Sequence, residues 1–131
     1  MADSAIPSTA APLVLVVDDH ADTRDMCATM LALSGFRTAA ATNGFEALAM
    51  AATLTPDCIL MDLSLPGLDG REATRRLKAD ERTRGIPVVA VSGLSIGDGS
   101  GGGDKDFAAV LTKPCAPEAI LSALRQALGR T

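Results

Sequence analysis

Leu13-Val14-Leu15-Val16-Val17-Asp18-Asp19 is the stretch whose reading decides the fold: five apolar residues that run straight into two acids. A short valine- and leucine-rich run without polar alternation has the pattern of a strand buried on both faces. Three more runs follow the same plan. Cys58-Ile59-Leu60-Met61 ends in Asp62, Val88-Val89-Ala90-Val91 ends in Ser92, and Ala109-Val110-Leu111-Thr112 ends in Lys113-Pro114. Helix-like segments separate the runs, so the chain predicts a doubly wound α/β fold around a parallel sheet. In such a sheet the carboxyl ends of the strands share one edge, and ligands bind where the strand order reverses. Three carboxylates, a hydroxyl and an ammonium are thereby expected in one crevice.

The intervening segments predict the remaining elements. A helix capped by Asp22 or Thr23 runs to about Ser34, with Met26, Met30 and Leu33 on one face and Gly35 at its C-terminal turn. Phe36 to Ala41 reads as a weak strand, Asn43-Gly44 as a turn, and Phe45 to Thr53 as an alanine-rich helix stopped by Pro56. Leu65 to Gly70 is a loop by composition, Arg71 to Ala79 a helix, and Asp80 to Pro87 a polar connection. Pro117 suits the first turn of a last helix over Glu118 to Leu128, with an apolar stripe of Ile120, Leu121, Leu124 and Leu128. Gly97 to Gly103 holds five glycines in seven residues. At roughly 1 kcal/mol each these oppose a helix by about 5 kcal/mol, so residues 94–108 are expected to form a mobile loop with at most a short helix near Asp104 to Ala108.

The chain has 131 residues, enough for one domain with a proper core. A net charge of −4 argues against direct nucleic-acid binding. No apolar stretch approaches the roughly 20 residues of a membrane span. Residues 1–12 lack the basic start and apolar stretch of a signal peptide and read as a flexible lead-in to a domain over residues 13–131. Cys27, Cys58 and Cys115 lie far apart among apolar neighbours, with no metal-ligand spacing and a single histidine in the chain. They read as small buried hydrophobes in a reducing cytoplasm.

The polar residues at the strand ends suggest a chemistry. Crowded carboxylates repel one another, and a divalent cation relieves that. Mg²⁺ suits a few carboxylates completed by water and phosphate oxygens. Asp62, set apart from the Asp18-Asp19 pair, is a candidate nucleophile, because a carboxylate can accept a phosphoryl group as an acyl phosphate. Lys113 supplies a cation and Ser92 a hydrogen-bond donor for the phosphoryl oxygens. Taken singly, each residue also reads as a helix cap or a solvated turn; their joint occurrence is what points to a site.

VLVVDDH at 14–20, ILMDLSLPGLDG at 59–70, VVAVSG at 88–93 and LTKP at 111–114 together resemble the receiver domain of bacterial two-component response regulators. The resemblance covers Leu13 to Leu128 and implies a flavodoxin-like sheet of strand order 2-1-3-4-5. It implies Asp62 as the phosphoacceptor, Asp19 as a direct Mg²⁺ ligand, Asp18 as an acid acting on the ion mainly through water, and the Ser64 carbonyl as a further ligand. Ser92 would be the switch hydroxyl and Lys113 the phosphate-pairing group, followed by a cis bond to Pro114. The implied partners are a histidine kinase or histidine phosphotransfer protein and an unknown downstream protein, with neither nucleic acid nor membrane bound directly. The implied role is that of a cytoplasmic, chemotaxis-regulator-like signalling phosphoacceptor rather than an enzyme.

Two departures stand out. The family usually places Tyr or Phe three residues before the lysine, where this chain has Val110; the nearest ring, Phe107, reads as core packing. The glycine-rich stretch falls where the family has its fourth helix, which suggests a phosphorylation-dependent ordering of residues 94–108. Gly97, Gly99 and Gly102 fall in a GxGxxG register, but after the wrong strand for a dinucleotide site. His20, beside the acids, could be taken for a phosphohistidine or a metal ligand, but reads rather as an exposed residue at the rim of the site. The alternatives to a stand-alone receiver are a receiver cut from a larger regulator or hybrid kinase, and a small aspartyl-phosphate hydrolase. The hydrolase lacks a second acid two residues beyond Asp62, where Ser64 stands.

Overall fold

A computed structural model describes residues 11–93 and 106–129. Its elements are β1 (Leu13–Val17), α1 (Ala21–Leu33), β2 (Arg37–Ala41), α2 (Gly44–Leu54), β3 (Cys58–Asp62), α3 (Gly70–Ala79), β4 (Val88–Ser92), β5 (Ala109–Thr112) and α4 (Pro117–Ala127). The five strands form one parallel sheet in the order β2-β1-β3-β4-β5. Both the fold class and the strand order expected from the sequence are present. The chain leaves β1 toward β2 and later returns to β3 on its other side, so the order reverses between β1 and β3.

Alternation along the strands sorts the core into two halves, because successive side chains point to opposite faces of a sheet. Leu15, Val17, Ile59, Met61 and Val88 meet Ala47 and Ala51 of α2 and Leu77 of α3. Val14, Val16, Leu60, Val89 and Val91 meet Leu31 of α1 and Leu124 of α4. Burying one such aliphatic side chain contributes roughly 1.5–3 kcal/mol. The central strands β3 and β4 are buried throughout, which explains their unbroken apolar spelling.

Capping fixes the helix starts. The Asn43 side chain accepts from the Glu46 amide at 2.8 Å, and Glu46 Oε1 accepts from the Thr42 amide at 2.7 Å. Asn43-Gly44 is therefore the start of α2 rather than a separate turn. Asp69 caps α3 in the same way, accepting from Glu72 at 2.8 Å. Gly35, with φ +93°, ends α1 in the left-handed region, as the sequence predicts.

Helix α1 corrects two expectations. It begins after His20, one turn position earlier than a cap at Asp22 or Thr23 requires, and His20 makes no side-chain cap. Its apolar face is also misread by the sequence: Met26 is 68% exposed and Leu33 84%, whereas Leu31 is fully buried. Two stripes at helical spacing run side by side here, Met26-Met30 and Cys27-Leu31. The core takes the second, while Met30 straddles both and packs partly against it. The other boundaries shift by a residue: β2 starts at Arg37, α3 at Gly70 and α4 at Pro117.

Ala11 and Pro12 are tied to β2, through Arg37 Nε donating to the Ala11 carbonyl at 2.9 Å and the Arg37 amide donating to that of Pro12 at 2.8 Å. The remainder of the expected lead-in, residues 1–10, lies outside the described residues, as do residues 94–105 of the expected glycine-rich loop. Ala108 joins the sheet edge by donating to the Val88 carbonyl at 2.8 Å. No helix among the described residues is long and apolar enough to cross a membrane. All three cysteines are free; Cys58 is buried, and burial pushes its thiol up to about 12.

Candidate functional site

Strand register brings the polar ends together. Val17 pairs with Met61, Asp62 with Val91, and Ser92 with Thr112. One step beyond these pairs lie Asp18, next to Asp62 at the β1–β3 reversal, and Lys113 beside Ser92. Continuity of the edge is kept by backbone bonds from Leu63 to the Val91 carbonyl at 3.0 Å and from Lys113 to that of Ser92 at 2.7 Å. The Lys113-Pro114 peptide is cis.

Asp18, Asp62 and Ser92 are buried, at 5%, 3% and 4% exposure. Burying carboxylates is costly unless they are hydrogen-bonded or neutralised. Asp62 accepts from the Ser64 amide through Oδ1 at 2.9 Å, and its Oδ2 lies 3.3 Å from Lys113 Nζ. Asp18 Oδ1 accepts from the His20 amide at 2.9 Å. These contacts hold the two acids in place without closing off all their lone pairs. Asp19 is more open, with a side chain 30% exposed.

One carboxylate oxygen from each of Asp18, Asp19 and Asp62, together with a ring nitrogen of His20, lies within 4.8 Å of every other. Two opposite ligands of an ion at about 2.1 Å stand about 4.2 Å apart, so this set is close to the span that a small divalent cation needs. Behind it a cleft of about 520 Å³ runs between α1 and the β5–α4 junction, lined by Met26, Cys27, Cys115 and Ile120 and floored by Asp18, Asp62 and Lys113. Burial raises the thiols of Cys27 and Cys115, which fits a packing role.

The backbone behind Asp62 leaves no room for change. A Cβ added at Gly70 would stand 2.5 Å from the Asp62 carbonyl oxygen and 2.8 Å from Leu63 Cα. Only glycine lets the start of α3 approach the strand end this closely.

Sequence reasoning missed one participant, Arg24, and the contacts of another, His20. Arg24 Nη1 donates to the Asp18 carbonyl at 2.9 Å, locking the β1 end to the first turn of α1. His20 is exposed at the rim as expected, at 69% of its side chain, yet its Nδ1 lies 3.1 Å from Asp18 Oδ1 and 3.2 Å from Asp19 Oδ1. Its adjacency to the acid pair was the available signal. At the positions that departed from the family pattern, Val110 is half-buried on β5. Phe107 packs against the core beneath α2 and α3, with the Arg71 guanidinium 5.8 Å from its ring centre. That is the packing role read from the sequence.

A parallel five-stranded sheet with acids gathered at its order reversal, and a lysine and a hydroxyl on the two following strands, defines a class of phosphoryl-accepting signalling modules. The chain belongs to the response regulator receiver domain family, which matches residues 14–125. It is 37% identical over 121 residues to the DNA-binding dual master transcriptional regulator RpaA of Synechocystis, covering 92% of this chain and 50% of that protein. It is 33% identical over 117 residues to the polar-differentiation response regulator DivK of Brucella anthropi, covering 88% of this chain and 95% of DivK. Among solved structures it is similar to the Vibrio cholerae chemotaxis protein CheY4, with TM-score 0.83 and 28% identity over 91% of this chain and 100% of that one. It is also similar to the receiver domain of a Pseudomonas aeruginosa sensor histidine kinase, which holds a magnesium ion in its active-site cleft. There the TM-score is 0.80, with 28% identity over 92% and 99% of the two chains. The chain thus spans about half the length of the first curated relatives it matches and nearly all of DivK. Receiver domains are signalling phosphoacceptors that use Mg²⁺ and interact with histidine kinases or phosphotransfer proteins.

Proposed function

We propose that Asp62 accepts a phosphoryl group from a phosphohistidine on a histidine kinase or phosphotransfer protein, and that the modified chain signals by protein contact. The observation that carries this is the Asp62 carboxylate, buried at a strand end with a lysine ammonium 3.3 Å away and two further acids beside it. A carboxylate oxygen of Asp62 forms the new P–O bond as the donor's P–N bond breaks, and the imidazole leaves with the electron pair. Lys113 pairs with one phosphoryl oxygen and the Ser92 hydroxyl donates to another, offsetting charge that spreads over the equatorial oxygens.

Asp19, Asp62 and the Ser64 carbonyl would hold Mg²⁺, with Asp18 acting mainly through water. The three carboxylate oxygens and their spacing fit this ion. The bound ion would screen the acids from the incoming phosphate; the chain's own part is to position Asp62 and supply Lys113 and Ser92. The output partner belongs to the same proposal, and a receiver working inside a longer regulator fits the half-length coverage of RpaA.

Incubation with acetyl phosphate and Mg²⁺, followed by intact-mass measurement, tests the centre. One added phosphoryl is expected for the wild type and none for Asp62→Asn. Equal labelling of both would overturn the assignment of Asp62.

A further inference from the structure

We propose that the face formed by α2 and α3 is a docking surface for an acidic amphipathic helix of a partner protein. This face lies across the sheet from α1 and α4. The inference goes beyond the phosphoryl chemistry proposed above and does not depend on it. Its anchor is Phe45. Of the three aromatic rings in the chain, Phe36 is buried and Phe107 packs against the core, whereas Phe45 is 60% exposed. Phe45, Leu48, Ala49 and Ala52 follow one another at i, i+3, i+4 and i+7 along α2, the spacing through which one helix packs against another. They form one wall of a groove of about 500 Å³; Arg76 and Leu77 of α3, with Arg82 beyond it, form the other. The alanines let a visiting backbone come close, and the ring supplies an aromatic anchor of the kind that dominates binding at interfaces.

Charge selects the occupant. Residues 71–84 hold six of the chain's 12 lysines and arginines against three acids, a net +3 in a chain of −4. The ion pairs along α3 complete the acids but not the arginines. Glu72 accepts from both Arg75 and Arg76, so one carboxylate is shared by two guanidinium groups, and Arg75, Arg76 and Arg82 all remain exposed. The same pairs hold these side chains in place before a partner arrives, which lowers the entropy lost on binding. Guanidinium forks beside an apolar groove match a helix whose apolar stripe is flanked by carboxylates. A nucleic acid fits less well, because a wall of phenylalanine, leucine and alanine offers its phosphates no donor.

Fluorescence anisotropy with a labelled synthetic helix, leucine on one face and glutamate on the other, tests this on the full chain. Saturable binding is expected, and it should weaken severalfold between about 50 and about 300 mM NaCl. Phe45→Ala and Arg76→Gln, both at exposed positions, should each weaken binding by roughly tenfold. Arg125→Gln, at an exposed cation on α4, should not. The same helix with lysine in place of glutamate should fail to bind. Absence of saturable binding to the glutamate helix, or an equal loss in Arg125→Gln, would overturn the proposal. Displacement of the helix by an equal concentration of single-stranded oligonucleotide would overturn it in favour of nucleic acid. Concentration-dependent dimerisation abolished by Phe45→Ala would overturn it in favour of a second copy of this chain. Phosphoryl labelling of Asp62 is read separately, so either reading can fail without the other.

Discussion

Two sets of acids in this protein are handled in opposite ways. On α3 and just beyond it, Glu72 receives Arg75 Nε at 2.9 Å and Arg76 Nε at 3.1 Å, and Asp80 receives Arg82 Nη2 at 2.8 Å. Those arginines hold both carboxyls well below the usual range, at about 2. Every partner lies within four residues of its acid, so the sequence neighbourhood completes these pairs. In the cleft, Asp18 and Asp62 are 44 residues apart in sequence, buried, and set beside one another with Asp19. Their repulsion is offset only in part by Lys113, and it remains available to attract an ion. A local pair that is already complete serves structure, whereas the crowded set assembled from distant positions is the one proposed above to take an ion.

The largest expected effect comes from the scaffold under the cleft. Gly70→Ala should cost about 2 kcal/mol or more in urea unfolding, because its Cβ meets backbone rather than a yielding side chain. A cost near zero would mean that the strand end moves easily and the acids are not rigidly placed. Next, Asp62→Asn should raise the thermal midpoint of the metal-free protein, by about 1 kcal/mol of relieved repulsion, and abolish the rise that Mg²⁺ produces in the wild type. Destabilisation without metal would show that the Lys113 pair outweighs the crowding and would break the contrast drawn above.

The smallest effect belongs to the exposed pair. The Glu72 carboxyl is depressed in the folded protein from 4.5 to about 2, so its contribution is present above pH 4.5 and is lost as pH falls from 4.5 toward 2. Glu72→Gln should flatten stability against pH within that window and leave Mg²⁺ binding unchanged. Superimposable acid limbs for the two proteins would remove Glu72 from the account.

Most of this architecture is legible in the chain. Buried parallel strands spell themselves as short apolar runs, and the acids, hydroxyl and lysine at their ends mark a shared edge. The face of α1 was not legible, because Met26, Met30 and Leu33 are more apolar than Cys27 while offering equally good helical spacing. Packing against β1 and β3 chose the stripe containing Leu31. The Asn43 cap was hidden by its Asn-Gly spelling, which serves a turn and a helix start equally well. His20 was legible as a rim residue beside the acids, but its contact with both of them was not, because the direction in which an exposed ring points is not written in its neighbours.

By itself, the sequence determined the element order, the parallel sheet and the identity of the groups at its carboxyl edge, since these follow from local apolar periodicity and from which residue ends each run. Tertiary structure alone decided how those groups meet. Strand register set Asp18 beside Asp62, close approach at Gly70 fixed the strand end, and the start of α1 turned His20 toward the acids. Local pattern acts through neighbours along the chain, whereas convergence of charges depends on distances between strands that only the assembled sheet defines.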